Sequence, residues 1–318
     1  SQDAVFGVAV VDDLIATAGE DSVVRLWEKD FTLAGTLRGH NDLVWSVGSL
    51  GNGQLASVSR DGTIKWWSTE QPVLSTLRTT DKLPASDISF VWNDILAVVS
   101  EFDSDLQLMD VFSGKSKMIF SPKEQELTIV KNVPSTSLVV TGNVEGGVEL
   151  WDVDGGEFEE TIGLCEGQIS ALAVSEFGKH IAAGTLSGNV YVWSTNTRQL
   201  LMEAKLGESN IVAMELGEEE EALFVVLGGE LVIGIDVATQ RELWRCRGYA
   251  DIVAMAFNKV TNVIIVATAS NSIHIIDPKD GIELQVGNAS GDALRDLALF
   301  PDGKRFATVL ADGTLSIW

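Results

Sequence analysis

Two short apolar runs flank a tight turn in residues 55–67, which read Leu55-Ala56-Ser57-Val58-Ser59-Arg60-Asp61-Gly62-Thr63-Ile64-Lys65-Trp66-Trp67. Asp-Gly is typical of hairpin turns because the backbone of such residues adopts positive φ at little cost. Each run is shorter than the roughly ten periodic residues that a helix needs, and both are rich in residues that favour strands. The stretch therefore predicts an antiparallel hairpin whose second strand ends on a tryptophan.

The same kind of strand end recurs along the whole chain. The residues at this position are Trp27, Trp67, Met109, Trp151, Trp193, Ile235, Ile276 and Trp318. They are separated by 40, 42, 42, 42, 42, 41 and 42 residues. Each interval contains about four short apolar stretches broken by turn residues, and units of this size repeat in β-propellers. The period predicts an all-β propeller built from four-stranded antiparallel blades.

The second unit carries a spaced set of polar and aromatic residues: His40, Ser57, Asp61 and Trp67. With Gly39 before the histidine, this set resembles the motif of the WD-repeat β-propeller family, and the resemblance extends over essentially the whole chain. It implies that the four side chains form a structural tetrad, hydrogen-bonded within one blade. The other units keep only parts of the set, so no specific family member is indicated.

Three units replace the tryptophan with Met109, Ile235 and Ile276, and we expect them to rest on apolar packing. The sixth unit, residues 235–244, also resembles the blade motif of quinoprotein-like propellers. One unit of eight is a small part of the chain, but it keeps a quinoprotein-like propeller enzyme open as an alternative.

Eight inner-strand segments predict eight blades, with seven as the alternative count. The last unit ends at its third strand, so we expect the eighth blade to lack its outer strand. No linker interrupts the repeats, which predicts a single propeller domain over residues 1–318. The chain starts at Ser1 without a methionine, which is consistent with a module of a longer protein.

The charge balance restricts the partners. The chain has 46 acidic and 22 basic residues and a net charge of −24. Nucleic-acid binding requires basic side chains that neutralise phosphates, so direct binding of DNA or RNA is disfavoured. The negative charge either serves solubility or attracts a basic protein or peptide. Residues 218–221 are all glutamate, and we expect this cluster on the face opposite the usual binding surface, with a second cluster around Glu157, Glu159 and Glu160.

The chain contains no long apolar run, so a membrane span is not expected. It has two cysteines, Cys165 and Cys246, about two blades apart. Two distant cysteines do not form a disulfide framework, and this favours the cytoplasm or the nucleus. Nothing in the sequence predicts the oligomeric state.

The sequence offers little for catalysis. Its three histidines, His40, His180 and His274, lie in different units and show no metal-ligand spacing with one another or with the cysteines. No phosphate-binding glycine loop is found. We therefore predict no catalytic residue, no metal and no cofactor, and a protein that is not an enzyme.

Propellers of this family usually bind partners at the face where the outer strand of one blade leads to the inner strand of the next. An alignment of the inner strands by their first apolar residue places one residue per blade at the mouth of the channel. These residues are Phe6, Trp45, Ser89, Thr128, Ser170, Val212, Val253 and Arg295.

In a ring closed between blades eight and one, Phe6, Trp45 and Arg295 become neighbours. Aromatic residues and arginine are enriched at binding hot spots. We predict a partner site at these three residues, with a polar rim that includes Asp42, Asp87 and Asp251. The predicted function is a non-enzymatic scaffold that docks a protein or peptide within a complex; an architectural subunit completed by a partner strand is a further alternative.

Overall fold

The computed structural model describes residues 4–51, 53–69, 75–78, 85–91, 95–100, 105–110, 116–120, 126–217 and 222–318. The glutamate cluster at 218–221 lies outside these residues. The described residues form 31 strands, and they contain no helix that is long and apolar enough to cross a membrane. The all-β prediction is confirmed.

The strands fall into eight consecutive groups, which we number as blades. Blade 1 contains β1 (Val5–Val11), β2 (Leu14–Gly19), β3 (Val23–Trp27) and β4 (Leu33–Arg38). Blade 2 contains β5 (Val44–Gly51), β6 (Gln54–Ser59), β7 (Thr63–Ser68) and β8 (Ser75–Arg78). Blade 3 contains β9 (Ala85–Val91), β10 (Ile95–Ser100), β11 (Leu106–Asp110) and β12 (Ser116–Phe120). Blade 4 contains β13 (Leu127–Asn132), β14 (Leu138–Asn143), β15 (Gly147–Asp152) and β16 (Glu157–Leu164).

The second half of the chain continues the pattern. Blade 5 contains β17 (Ile169–Val174), β18 (His180–Thr185), β19 (Asn189–Ser194) and β20 (Leu200–Lys205). Blade 6 contains β21 (Ile211–Leu216), β22 (Ala222–Leu227), β23 (Leu231–Asp236) and β24 (Arg241–Arg247). Blade 7 contains β25 (Ile252–Asn258), β26 (Val263–Thr268), β27 (Ser272–Ile276) and β28 (Glu283–Asn288). Blade 8 contains β29 (Leu294–Leu299), β30 (Phe306–Leu310) and β31 (Leu315–Ile317).

Each blade is an antiparallel sheet in which the strands pair in chain order, from the inner strand at the channel to the outer strand at the rim. Seven sheets have four strands and the sheet of blade 8 has three. The count of eight blades is confirmed, and the alternative of seven is wrong. The period of the sequence allowed this count because each blade repeats the same buried strand end.

The ring closes where blade 1 packs against blade 8. Val8 and Val10 of the first inner strand share a buried cluster with Phe300, Ala307 and Val309 of the last blade. The backbone N–H of Val8 also donates to the Asp296 carboxylate at 3.1 Å. Inner strands of neighbouring blades thus meet at this junction through both apolar packing and a hydrogen bond.

The tryptophans at the strand ends lie between blades and are held by a hydroxyl group on the neighbouring strand. The indole N–H donates at 2.8–2.9 Å to a hydroxyl oxygen in four blades, in the pairs Trp27–Thr17, Trp67–Ser57, Trp151–Thr141 and Trp318–Thr308. The units without this tryptophan have a fully buried valine in place of the hydroxyl residue: Val99, Val225 and Val266. An unpaired hydroxyl group would be costly there. Blade 5 differs, because it keeps Trp193 and carries Ala183 at the hydroxyl position.

Blade 2 brings the four side chains of the tetrad into one hydrogen-bonded chain. The His40 ring reaches Asp61 through Nδ1 at 3.1 Å and Ser57 through Nε2 at 2.8 Å, and the Ser57 oxygen accepts from the Trp67 indole at 2.8 Å. Burial lowers the pKa of His40, so its imidazole is neutral at neutral pH. A neutral ring with its proton on Nδ1 donates to Asp61 and accepts from Ser57.

Candidate interaction site at the channel mouth

Two sets of loops lie on one face of the propeller. In the seven blades where both segments are described, the segment before the inner strand and the turn between the second and third strands are joined by backbone hydrogen bonds. Examples are the bond from Arg60 N to Leu43 O in blade 2 and the bond from Ala311 N to Ala293 O in blade 8. We call the inner-strand ends at this face the channel mouth.

Every inner strand has a β-bulge at its second residue. The strand pairing skips one residue at the same place in all eight blades. The bulged residues are Phe6, Trp45, Ser86, Thr128, Ser170, Val212, Val253 and Arg295. A bulge leaves one residue out of the ladder. These eight residues therefore form a ring of bulged positions at the channel mouth.

Seven of the eight residues are those obtained by aligning the inner strands, and blade 3 is the exception. Its inner strand starts at Ala85, so the bulge falls on Ser86 and not on Ser89. The alignment used Ile88 as the first apolar residue, which lies three positions too late. The small size of Ala85 explains the error, since it is not recognisable as the start of an apolar strand.

Five consecutive blades carry apolar or cationic side chains in this ring: Val212, Val253, Arg295, Phe6 and Trp45. We call these residues the apolar arc. Trp45 is 47% exposed, and Val212 and Val253 are 38% and 37% exposed. The rings of Phe6 and Trp45 contact each other with centroids 5.9 Å apart. The structure therefore brings the predicted aromatic pair together and leaves much of Trp45 in solvent.

Arg295 is exposed and stands in blade 8, next to the blade that carries Phe6. Its guanidinium group has no ion-pair or hydrogen-bond partner among the described residues. It is therefore available to an incoming carbonyl or carboxylate group. Val212 and Val253 were not singled out in the sequence, because a valine in a strand normally indicates core.

The opposite part of the ring is built differently. The Thr128 hydroxyl donates to Ile169 O of the next blade at 3.1 Å, and the Ser170 hydroxyl donates to Ile211 O at 2.7 Å. We call Thr128 and Ser170 the hydroxyl arc. Their side chains are used to join neighbouring inner strands, and this leaves the apolar arc as the part of the ring that offers free side chains.

The three aspartates predicted as a polar rim have different surroundings. Asp42 accepts from Leu43 N at 2.8 Å and lies 3.8 Å from Arg60, and exposed Asp251 sits in a loop with a positive φ of 54°. Asp87 instead accepts from Val130 N of the next blade at 2.9 Å. The geometry places Asp87 at a junction between blades, where its carboxylate is already engaged.

Asp296 makes the same inter-blade bond as Asp87, at the junction of blades 8 and 1. Both residues directly follow the bulge, and both accept from the fourth residue of the next inner strand. Burial raises the pKa of Asp296 to about 6, even though two backbone N–H groups oppose this shift. Ionisation of Asp296 is therefore less favourable in the folded ring than in the unfolded chain.

The loops around the mouth are strongly acidic. In the described loops on this face, twelve residues are acidic: Glu20, Asp21, Asp42, Asp61, Glu126, Glu145, Glu166, Glu208, Glu230, Asp251, Asp292 and Asp312. The same loops contain a single lysine or arginine, Arg60. The field at the mouth is therefore negative, and it favours positively charged ligands.

The described part of the chain contains no group of three or more metal-binding side chains. Both cysteines are free thiols, and burial raises the pKa of Cys165 to about 12. A thiol with so high a pKa is not a nucleophile at neutral pH. The acidic cluster in blade 4 is bound by Arg198, which reaches Glu159 and Glu160 at 2.7 Å each.

Two family models match the chain. The model described as WD domain, G-beta repeat matches residues 31–68 and 282–318, which include the tetrad and the last tryptophan. The model of the PQQ type, described as outer membrane protein assembly factor BamB, matches residues 135–296. This second match covers half of the chain and contains the segment 235–244 that resembles a quinoprotein-like blade.

Among similar proteins, human striatin-3 is 24% identical over 184 residues, which cover 54% of this chain and 23% of that protein. Human striatin is 23% identical over 186 residues, covering 54% of this chain and 24% of striatin. The chain thus spans about a quarter of the length of these relatives.

A solved structure, that of the computationally designed Ika8 protein, superposes with a TM-score of 0.85 at 21% identity and covers 100% of this chain and 96% of the designed one. The WD-repeat matches and the striatins confirm the resemblance to WD-repeat β-propellers, and the chain belongs, over residues 135–296, to the repeat family described as outer membrane protein assembly factor BamB.

Proposed function

We propose that this propeller is a non-enzymatic scaffold that docks a basic protein or peptide segment on the apolar arc of the channel mouth. The observation that carries the proposal is an aromatic pair, the partly buried Phe6 and the half-exposed Trp45, inside a ring of acidic loops. Large rigid side chains of this kind supply most of the energy of protein interfaces. The similarity to striatins agrees with a scaffold role.

Each part of the mouth has a separate task in this proposal. The Phe6–Trp45 pair buries an apolar or aromatic side chain of the partner, and Val212 and Val253 extend that contact around the channel. Arg295 binds a backbone carbonyl or a carboxylate of the partner. The acidic loops attract basic residues, accelerate association and make binding weaker at high salt.

The test is an affinity capture from native cell extract, quantified by mass spectrometry, followed by binding of the recovered segment as a synthetic peptide. The first variant replaces Phe6, Trp45 and Arg295 with alanine. The matched control replaces Phe31, Leu33 and Arg38, which are exposed at the rim of blade 1, with alanine. We expect the mouth variant to lose the partner and the rim variant to keep it.

Two outcomes would contradict the proposal. If the mouth variant and the wild type capture the partner equally, Phe6, Trp45 and Arg295 are not part of the binding site. If binding does not weaken between about 50 and 500 mM salt, the prediction that the partner is basic is wrong. The cytoplasmic or nuclear location remains a prediction, and fractionation of cells that express the chain would test it.

The enzyme alternative has one observation in its favour, the match over residues 135–296. The description of that match is an assembly factor, so it does not by itself indicate catalysis. Visible absorbance of the purified protein, together with turnover of an alcohol or sugar, would support the alternative. The architectural alternative predicts that a partner strand pairs with β31, which hydrogen exchange of residues 315–317 would detect.

A further inference from the structure

The outer strand of blade 7, β28, carries exposed aliphatic side chains at a free sheet edge. Ile282, Leu284 and Val286 occupy alternate positions and are 59%, 56% and 47% exposed. The strand β27 pairs with one edge of β28, and no described strand pairs with the other edge. An apolar edge of this kind is a template for pairing with another strand. We call residues 282–288 the blade 7 edge.

The backbone of the blade 7 edge has hydrogen-bonding groups that point to solvent. Ala289 N donates to Asn271 O at 2.9 Å, just past the end of β28. In an antiparallel ladder every second residue turns its N–H and C=O groups towards the neighbouring strand. Gly287 therefore faces β27, whereas Val286 and Asn288 face outward. An added strand can bond to these two residues without breaking a hydrogen bond of the blade.

Blade 7 differs at this edge from the other blades whose outer strands are described with their side chains. The bulged residue of β28 is Leu284, and Val286 follows it two places later. The corresponding pairs in blades 1, 3, 4, 5 and 6 are Ala34 and Thr36, Lys117 and Ile119, Glu159 and Thr161, Leu201 and Glu203, and Leu243 and Arg245. Each of those pairs contains a polar or charged residue, which discourages pairing with another chain. Among these six strands, only β28 lacks this protection.

The charge of the blade 7 edge is compatible with a second copy of the same strand. Glu283 is its single charged residue, and its carboxylate lies 2.5 Å from His274 Nδ1. An antiparallel pair centred on Val286 sets this valine against the same residue of the second copy. The two Glu283 residues then lie about 20 Å apart along the strands, so no like charges face each other. A basic segment of another protein would meet only one carboxylate here, already bound to a histidine, and this favours the second copy.

We propose that two copies of this chain associate through their blade 7 edges, by antiparallel pairing of β28 centred on Val286. The two four-stranded sheets of blade 7 become one continuous sheet, and the aliphatic side chains of each edge contact those of the other. The association does not depend on the apolar arc. A dimer carries two channel mouths, so it can bind two partner segments at once.

Sedimentation velocity of the full chain between about 2 and 200 µM tests the pairing, since a small interface of this kind forms a weak dimer. The wild type should change from monomer to dimer across this range. Its net charge of −24 opposes the approach of two copies. The dimer should therefore be tighter at about 500 mM salt than at about 50 mM, the opposite of the salt dependence expected at the channel mouth.

Two charge variants locate the contact. Val286→Lys and Val286→Glu each place like charges opposite one another, and each should weaken self-association at least about tenfold. An equimolar mixture of the two should restore the dimer, because a lysine then faces a glutamate. Leu33→Lys is the matched control, since Leu33 is 52% exposed on the outer strand of blade 1. This variant and the Phe6, Trp45 and Arg295 triple variant should associate as the wild type does.

Three outcomes would overturn the proposal. The first is a wild type that stays monomeric over the whole concentration range. The second is a dimer that persists in both Val286 variants, each shown to be folded by its melting temperature, because the contact would then lie elsewhere. The third is a mixture of the two variants that stays monomeric, which would exclude the pairing centred on Val286.

Discussion

The two arcs of the channel mouth contain the same β-bulge, but the bulged side chains have different roles. In the hydroxyl arc, Thr128 and Ser170 donate to carbonyl groups of the next blade and join inner strands. In the apolar arc the bulged residues include Val212 and Trp45, whose side chains remain well exposed. A bulge can therefore support the ring or present a side chain, depending only on the residue that occupies it.

This difference separates stability from binding around one ring. A hydroxyl group at a bulge has an acceptor within reach in the next blade, whereas a large apolar group at a bulge cannot be buried there. Neighbouring exposed apolar groups are typical of interaction surfaces, so the apolar arc is the part expected to bind. Substitutions in the hydroxyl arc should change the free energy of unfolding, and substitutions in the apolar arc should change the affinity for the partner.

The largest expected contrast is between a tryptophan in the core and the tryptophan at the mouth. Trp193 is almost fully buried and stacks on Tyr191 with centroids 5.8 Å apart. Trp193→Ala should lower the free energy of unfolding by about 3–5 kcal/mol through lost contacts and a cavity. Trp45→Ala should change it by less than about 0.5 kcal/mol. Urea unfolding of both variants checks this, and a similar loss for both would place Trp45 in the core.

A second contrast concerns the junction that closes the ring. Asp296 has a pKa of about 6 in the folded chain, well above the usual value of 3.8. Between about pH 4 and 6 the carboxyl group ionises in the unfolded chain but stays largely protonated in the folded one, so stability falls across this range and levels off above it. Asp296→Asn removes the charge and keeps one acceptor oxygen, for either Val8 N or Leu297 N. It should raise the free energy of unfolding by up to about 2 kcal/mol at pH 7.5.

The gain from Asp296→Asn should shrink as the pH falls from 7.5 towards 4, which thermal unfolding at several pH values would reveal. Asp296→Ala is the control, because it removes the acceptor and leaves the Val8 N–H without its partner. This variant should not show the gain. A gain from the asparagine variant that is independent of pH would show that ionisation of Asp296 is not its cause.

Much of the fold follows from the sequence because the buried strand ends repeat at a fixed interval. Trp67 and Trp151 mark their blades, and Met109 or Ile235 can replace tryptophan since a valine then replaces the partner hydroxyl. The start of blade 3 was misplaced because Ala85 gives a weak apolar signal. Sequence periodicity finds strands well when the first buried residue is large, and poorly when it is small.

The candidate site could be predicted only in part. The position after the first apolar residue was found in seven blades, and Phe6 and Trp45 are neighbours in the structure. The exposure of Val253 could not be predicted, because it depends on a bulge that turns a strand residue away from the core.

A smaller effect is expected within the ring of bulges itself. Ser170→Ala removes hydrogen bonds to Ile211 O and Gly184 O, and should lower the free energy of unfolding by about 1 kcal/mol. Val212→Ala, at the same position of the next blade, should change it by less than about 0.5 kcal/mol. Urea unfolding of the pair is the measurement. A larger loss for Val212→Ala would remove the distinction between the arcs.

The smallest effect on stability is expected at Arg295. Arg198 binds Glu159 and Glu160 at the outer side of the ring, so Arg198→Gln should cost up to about 1 kcal/mol. Arg295 has no such partner among the described residues, so Arg295→Gln should leave the free energy of unfolding unchanged within about 0.5 kcal/mol. Side-by-side urea unfolding of the two variants checks this. A clear loss at Arg295 would mean that its guanidinium is engaged within the ring, and then only the aromatic and valine side chains of the apolar arc would remain free for a partner.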